Sequence, residues 1–173
     1  MGSRLKPALV TVLFLFVAPG TVVGLIPGLL SRWTFQPPLL GWPATRWIGE
    51  ALIALGVPVL LESFYRFAWH GRGTPAPPFP TQTLVVTGFY RFVRNPMYVA
   101  VVSMILGQGL LFGSVPVLSW GAGAAAAFHA FVLLYEEPKL HATYGESYAA
   151  YCRAVRRWWP RATPYRPVPA ATA

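Results

Sequence analysis

Two groups of reactive side chains stand at the two ends of the longest apolar run in this chain. The first lies in T-G-F-Y-R-F-V-R-N-P-M-Y-V-A, residues 87–100, and comprises Tyr90, Arg94, Asn95 and Tyr98. The second lies in Y-E-E-P-K-L-H-A-T-Y-G-E-S-Y-A-A-Y, residues 135–151, and comprises Glu136, Glu137, Tyr144 and Tyr148. Acids at a helix end, facing arginines and aromatic rings, suit a ligand that carries both a positive and a negative group. The same residues would also serve as a salt-bridged collar at a membrane border. His129 stands two helical turns before Glu136, which puts the two on one helix face and makes the histidine or a glutamate the available base. Metal chemistry has little to work with, because Cys152 is the lone cysteine and His70, His129 and His141 are scattered.

The elements that must position these groups are membrane helices. Hydrophobic residues make up 55% of the chain and charged residues only 11%, against roughly 25% charged in an ordinary soluble domain. No Asp, Glu, Lys or Arg occurs from Asn95 to Tyr135, a run about twice the length needed to cross a hydrocarbon core of roughly 30 Å. It must fold back once, and Gly113-Ser114-Val115-Pro116 offers the turn. The turn leaves helices over 98–112 and 116–135. Upstream, the uncharged stretch 7–30 and the stretch 47–67, whose acids Glu50 and Glu62 lie near its ends, supply two more. The first has Arg4 and Lys6 before it, as a signal peptide would, but it is long and lacks a clear small-x-small cleavage site. The expected fold is therefore an all-α integral membrane protein of four spans with an amphipathic C-terminal helix.

Cations sort strongly by side. Arg4, Lys6, Arg66, Arg72, Arg91, Arg94, Lys139, Arg153, Arg156, Arg157, Arg161 and Arg166 fall on one face, and Arg32 and Arg46 on the other. The positive-inside rule then places both termini and the two reactive groups on the cytoplasmic face. The net charge of +9 fits this bias and attraction to anionic lipid rather than nucleic acid. Between the second and third spans, residues 71–80 are too rich in proline for a helix, and 82–88 read as a short extended segment with a turn at Gly88. Leu140, Tyr144, Tyr148, Tyr151 and Val155 recur at helical spacing, with breaks expected at Gly145 and Pro160. Pro138 disfavours helix at Glu137 and would turn that carboxylate inward. Trp158 and Trp159 suit a helix lying at the interface. Residues 1–160 read as one membrane-embedded domain, and 161–173 as a disordered tail.

The pattern T-L-V-V-T-G-F-Y-R-F-V-R-N-P-M-Y, followed about forty residues later by E-E-P-K-L-H-A-T-Y-G-E-S-Y-A-A-Y, resembles the isoprenylcysteine carboxyl methyltransferase family and its bacterial relatives over about residues 80–160. The resemblance implies an integral-membrane methyltransferase that uses S-adenosylmethionine and acts on a lipid-like or isoprenoid-bearing acceptor reached from the bilayer. It further implies that Gln82, Thr83, Leu84, Val85, Tyr90 and Asn95 line the cofactor pocket, that Arg94, Pro96 and Tyr98 shape it, and that Glu136 and Glu137 stand near the reacting centre. Two positions depart from the family pattern. Asn95 stands where an Arg-His-Pro motif has histidine, and Val132 stands where members acting on prenylcysteine carry an arginine one turn before the acids. An amide can hydrogen-bond but cannot titrate, so cofactor binding survives the first change more readily than proton transfer would. A carboxylate acceptor would lose its clamp through the second. A nicotinamide-dependent reductase akin to membrane sterol reductases, and a non-enzymatic four-helix transporter or scaffold subunit, are the alternative readings. Gly107-Gln108-Gly109 inside a span reads as close helix packing, or as a gap near the cofactor.

Overall fold

The computed structural model describes residues 16–69 and 84–166. Among them every regular element is helical and no strand occurs. An apolar helix, α1, runs over Phe16–Ser31. It is succeeded by α2 at Ala44–Trp69, α3 at Pro96–Phe112, α4 at Val115–Phe131 and α5 at Glu137–Ala154. The stretches Ala44–Arg66 and Val115–Ala154 are each long and apolar enough to cross a membrane, while Phe16–Ser31 and Pro96–Phe112 are shorter apolar helices. The α3–α4 turn falls at the expected residues. Gly113, at φ +69°, ends α3 in the left-handed region, and its added Cβ would strike the Pro37 carbonyl oxygen. The Gln36 amide donates to the Phe112 carbonyl at 2.9 Å, so the loop before α2 covers one of the bare carbonyls at that end.

Proline and glycine in α1 produce a wide turn. Over Gly20–Leu25 the helix opens to π geometry, which releases carbonyls that lipid cannot satisfy. Side chains from two neighbours supply the donors: Gln108 Nε2 of α3 reaches the Val23 oxygen at 2.8 Å, and Trp120 Nε1 of α4 reaches that of Val22 at 3.0 Å. Val23 then joins Leu60, Phe64, Ala100, Val101, Ile105, Val117 and Ala124 in the core. The α2–α3 contact is a small-residue seam. A Cβ on Gly107 would lie 2.7 Å from the Gly49 carbonyl oxygen and 2.9 Å from Ile53, and one on Gly49 would meet the Gly107 oxygen at 2.5 Å. The glycine run at 107–109 is thus filled by helix packing, leaving no gap for a cofactor. Gly107→Val should destabilise the detergent-solubilised protein by about 1–3 kcal/mol, read from thermal unfolding, because the clash is with backbone. An unchanged midpoint would mean that α2 and α3 slide apart freely.

Pro138 acts differently from the local expectation. Glu137 is helical, at φ −62° and ψ −44°, and the strain is taken up by a second π turn over Val132–Glu136. The chain stays helical through Val115–Ala154, so the N–H that Pro138 lacks falls beside the π turn, where the regular ladder is already interrupted. The extra residue in that turn rotates the residues downstream of it by about 100°, so His129 and Glu136 do not keep the simple two-turn alignment. Helix α5 breaks at Gly145, at φ +51° and ψ −127°, as the glycine suggested, and closes at Val155, short of Pro160. Trp158 and Trp159 come after the helix instead of extending it.

Chain order also reaches past the boundary expected after Pro160. The Arg94 amide donates to the Arg156 carbonyl at 2.9 Å, that of Arg161 to Phe92 at 2.9 Å, and that of Tyr165 to Arg91 at 2.8 Å. Residues 156–165 form a strap along 91–94, held further by Arg91 Nε on the Tyr165 carbonyl at 2.7 Å. Residues 161–165, whose composition suggested a disordered tail, thus take their place by backbone pairing with a second segment.

Candidate active site

The π turn and the strap bring the two reactive groups together. Asn95 and Pro96 start α3, which sets Arg94 and Tyr98 on either side of the helix entrance, and Glu136 and Glu137 enter from the junction of α4 and α5. Tyr98 donates its hydroxyl to Glu136 Oε2 at 2.9 Å. Arg94 Nη1 lies 3.1 Å from Glu137 Oε1. Arg157 adds a two-pronged contact, with Nε to Oε1 at 2.7 Å and Nη2 to Oε2 at 2.8 Å.

The neighbouring carboxylates therefore differ. Glu137 is saturated by two guanidiniums, and its hydrogen bonds to Arg157 in turn hold that guanidinium more firmly protonated than usual. Glu136 makes no ion pair among the described residues, and its oxygen is held by a phenol alone. A paired carboxylate is a fixed anchor. One held by a neutral donor keeps its charge for an incoming cation or proton.

The remaining expected residues sort by role. Tyr90 is buried, its carbonyl accepts the Tyr151 hydroxyl at 2.6 Å, and burial, then the Glu136 charge, pushes its phenol well above the usual tyrosine range. Asn95 is also buried and donates from Nδ2 to the Arg157 carbonyl at 3.2 Å. The amide standing in the family histidine position thus pins the strap that carries Arg157. Leu84 packs on the cluster of Tyr148, Tyr151 and Val155, and Val85 is buried beside it. Gln82 and Thr83 lie outside the described residues. Gly88, at φ +57°, packs against the Glu62 carboxylate of α2, and a Cβ there would require that side chain to move.

Three participants carried no sequence-based assignment to the site: Arg157, Cys152 and Trp158. Arg94 Nη1 also reaches Cys152 Sγ at 2.6 Å, and Trp158 Nε1 donates to His129 Nδ1 at 3.0 Å. Cationic and aromatic residues after an apolar helix read equally well as interface anchors. The sole local signal was their number.

A cleft of about 420 Å³ lies against Tyr98, the partner of Glu136, and is lined by neither acid. Tyr98, Val99, Val102 and Ser103 of α3 form one wall, Ala125, Phe128 and His129 of α4 the other, and Trp158 and Trp159 complete the lining. The Tyr98 ring packs on Phe128 with centroids 4.8 Å apart, so a single residue touches both Glu136 and the cleft.

The family model for phospholipid methyltransferases matches residues 44–147, more than half of the chain. The chain belongs to this family. The family is part of the isoprenylcysteine carboxyl methyltransferase-like group of membrane methyltransferases, so the resemblance carried by the two motifs holds at the level of the group. The matched residues include α2, α3, α4, both carboxylates and the Gly145 break. Membership makes the protein a membrane methyltransferase by family, in keeping with its apolar helices. No curated protein and no solved structure matches the chain.

Proposed function

We propose that this protein transfers a methyl group from S-adenosylmethionine to a lipid-like acceptor at the cytoplasmic face of the membrane. The observation that carries the reading is the division of labour between Glu136 and Glu137 beside an apolar cleft. Residues 1–160 act as one membrane-embedded unit of four spans with both termini cytoplasmic, a reading supported by the twelve-to-two distribution of cations.

S-adenosylmethionine combines a sulfonium with an amino-acid carboxylate, and the residues present suit both ends. Arg94 Nε is buried and has no hydrogen-bond partner among the described residues, which leaves a spare guanidinium donor for a carboxylate. Glu136 offers a carboxylate that no ion pair takes up among the described residues, and Tyr98 provides aromatic surface on the cleft. When bound, the cofactor supplies an electrophilic methyl on a positively charged sulfur. Glu136 takes the proton released by an amine, phenol or thiol acceptor, or faces the sulfonium when the acceptor is already an anion. Tyr98 orients that carboxylate, Glu137 holds Arg94 and the strap in place, and the strap limits access of water.

The test is direct. Calorimetric titration of the solubilised protein should show saturable binding of S-adenosylmethionine and no response to NADPH; the reverse result would favour a reductase. Arg94→Lys keeps the charge but removes Nε. It should weaken binding by about tenfold or more, the loss expected for a hydrogen bond to a charged group. Asn95→His restores the residue of the family motif and should leave binding in place.

A further inference from the structure

We propose that His129 is a positioning residue for the acceptor, donating a hydrogen bond from Nε2–H to an oxygen of a membrane lipid seated in the α3–α4 cleft, with Trp158 fixing the tautomer that permits it. The inference rests on the proposed methyl transfer and adds a role for two side chains that the transfer step leaves unused.

An indole N–H only donates. Because Trp158 Nε1 lies 3.0 Å from His129 Nδ1, that nitrogen is the bare one, and the ring carries its proton on Nε2. The two rings stand 5.8 Å apart at 40°, and both line the cleft. Of the other polar groups on the cleft, the Tyr98 hydroxyl serves Glu136 and the Trp158 indole serves His129, which leaves the Ser103 hydroxyl and the Trp159 indole beside the imidazole. His129 Nε2–H is therefore a directed donor on the cleft, and its ligand must present an acceptor oxygen.

The occupant is a membrane lipid for two reasons. Apart from His129, Ser103 and the polar tips of Tyr98 and the tryptophans, the cleft is lined by apolar residues, as lipid chains require, and its volume is that of an ordinary small-molecule site. Around Trp158 and Trp159 the strap carries Arg156, Arg157 and Arg161; Arg157 is paired with Glu137, whereas Arg156 and Arg161 make no ion pair among the described residues, and their positive charge complements lipid phosphate. Phosphate and ester carbonyl oxygens share the acceptor chemistry that Nε2–H needs. Through Tyr98, a lipid held here has its headgroup near Glu136.

Protein carrying ¹⁵N-histidine, in detergent micelles, should show His129 with Nδ1 at the unprotonated position and Nε2 protonated. Titration with dihexanoylphosphatidylethanolamine should then shift the Nε2 resonance saturably and leave Nδ1 in place. Dihexanoylglycerol, which keeps the esters but lacks phosphate, is the second arm: an equal shift assigns the contact to an ester oxygen, and no shift assigns it to phosphate. Trp158→Phe should spread the proton over both nitrogens and weaken phospholipid binding severalfold. His129→Gln keeps an N–H donor and should bind within about twofold of the parent, whereas His129→Leu should lose at least most of the affinity. Nδ1 found protonated, or no shift with either probe, overturns the proposal. S-adenosylmethionine titration of the same samples separates the two readings, because a lipid-bound His129 without cofactor binding refutes the methyl transfer alone, and cofactor binding with a silent His129 refutes this inference alone.

Discussion

Glu136→Gln should reduce methyl transfer by about 10² to 10⁴, the usual contribution of a positioned acid or base, while the fold survives. The amide has nearly the shape of the carboxylate and can still accept the Tyr98 hydroxyl, so stability should change by no more than about 1 kcal/mol, one hydrogen bond's share. The variant loses a carboxylate charge that no guanidinium among the described residues pairs with. Radiolabelled methyl incorporation into lipid, run beside calorimetric binding of S-adenosylmethionine, distinguishes two forms of the loss. Retained binding with lost turnover assigns Glu136 as the base that receives the acceptor's proton, and the defect should ease at higher pH if the acceptor deprotonates unaided. Lost binding assigns it to the sulfonium. Tyr98→Phe should lower turnover less, because it misorients the carboxylate without removing it. Parent-like methylation by Glu136→Gln and by the double variant with Glu137→Gln would make the acidic pair a structural collar and end the mechanism.

Glu137→Ala should instead act on stability, by about 3–5 kcal/mol. Its carboxylate is 14% exposed and neutralises both Arg94, at 10%, and Arg157, at 28%. Its removal leaves two guanidiniums close together with little water to screen them. The backbone pairing of residues 91–94 with the strap would open in consequence, since Arg94 and Arg157 belong to its two sides. Thermal unfolding in detergent reads the change. Arg157→Ala should be milder, because Arg94 still balances Glu137, and adding Arg157→Ala to Glu137→Ala should recover part of the loss by removing one orphaned charge. Equal midpoints for parent and Glu137→Ala would place the ion pairs in solvent and deny them any part in holding the strap.

Several features arise from local chemistry and were legible without coordinates. An uninterrupted apolar run longer than a bilayer needs a turn, and only 113–116 combines glycine with proline, so the α3–α4 hairpin could be placed to within a few residues. Gly145 broke its helix because a left-handed residue there has no side chain to clash. The two motifs, one cationic and aromatic and the other acidic and aromatic, marked the candidate site because ionisable groups are rare at a membrane border.

The partition of the acids was not legible. Glu136 and Glu137 are adjacent and chemically alike, and a helix projects neighbours about 100° apart, but which one meets Tyr98 and which meets the arginines depends on the rotation introduced by the π turn at Val132–Glu136. Pro138 shows the same limit. Its local effect on Glu137 was expected to break the helix, and cooperative hydrogen bonding from both sides absorbed it as a wide turn. The strap was missed for a related reason: residues 156–165 have no periodicity of their own, and their order comes from carbonyls and amides of 91–94, which lie about sixty to seventy-five residues away in the chain. Sequence by itself determined the solvent, the hairpin and the identity of the reactive groups, because those depend on composition and local backbone preference. Tertiary structure decided which carboxylate is saturated, which histidine nitrogen is bare and what covers the site, because each depends on the direction of a side chain relative to a partner distant in the chain.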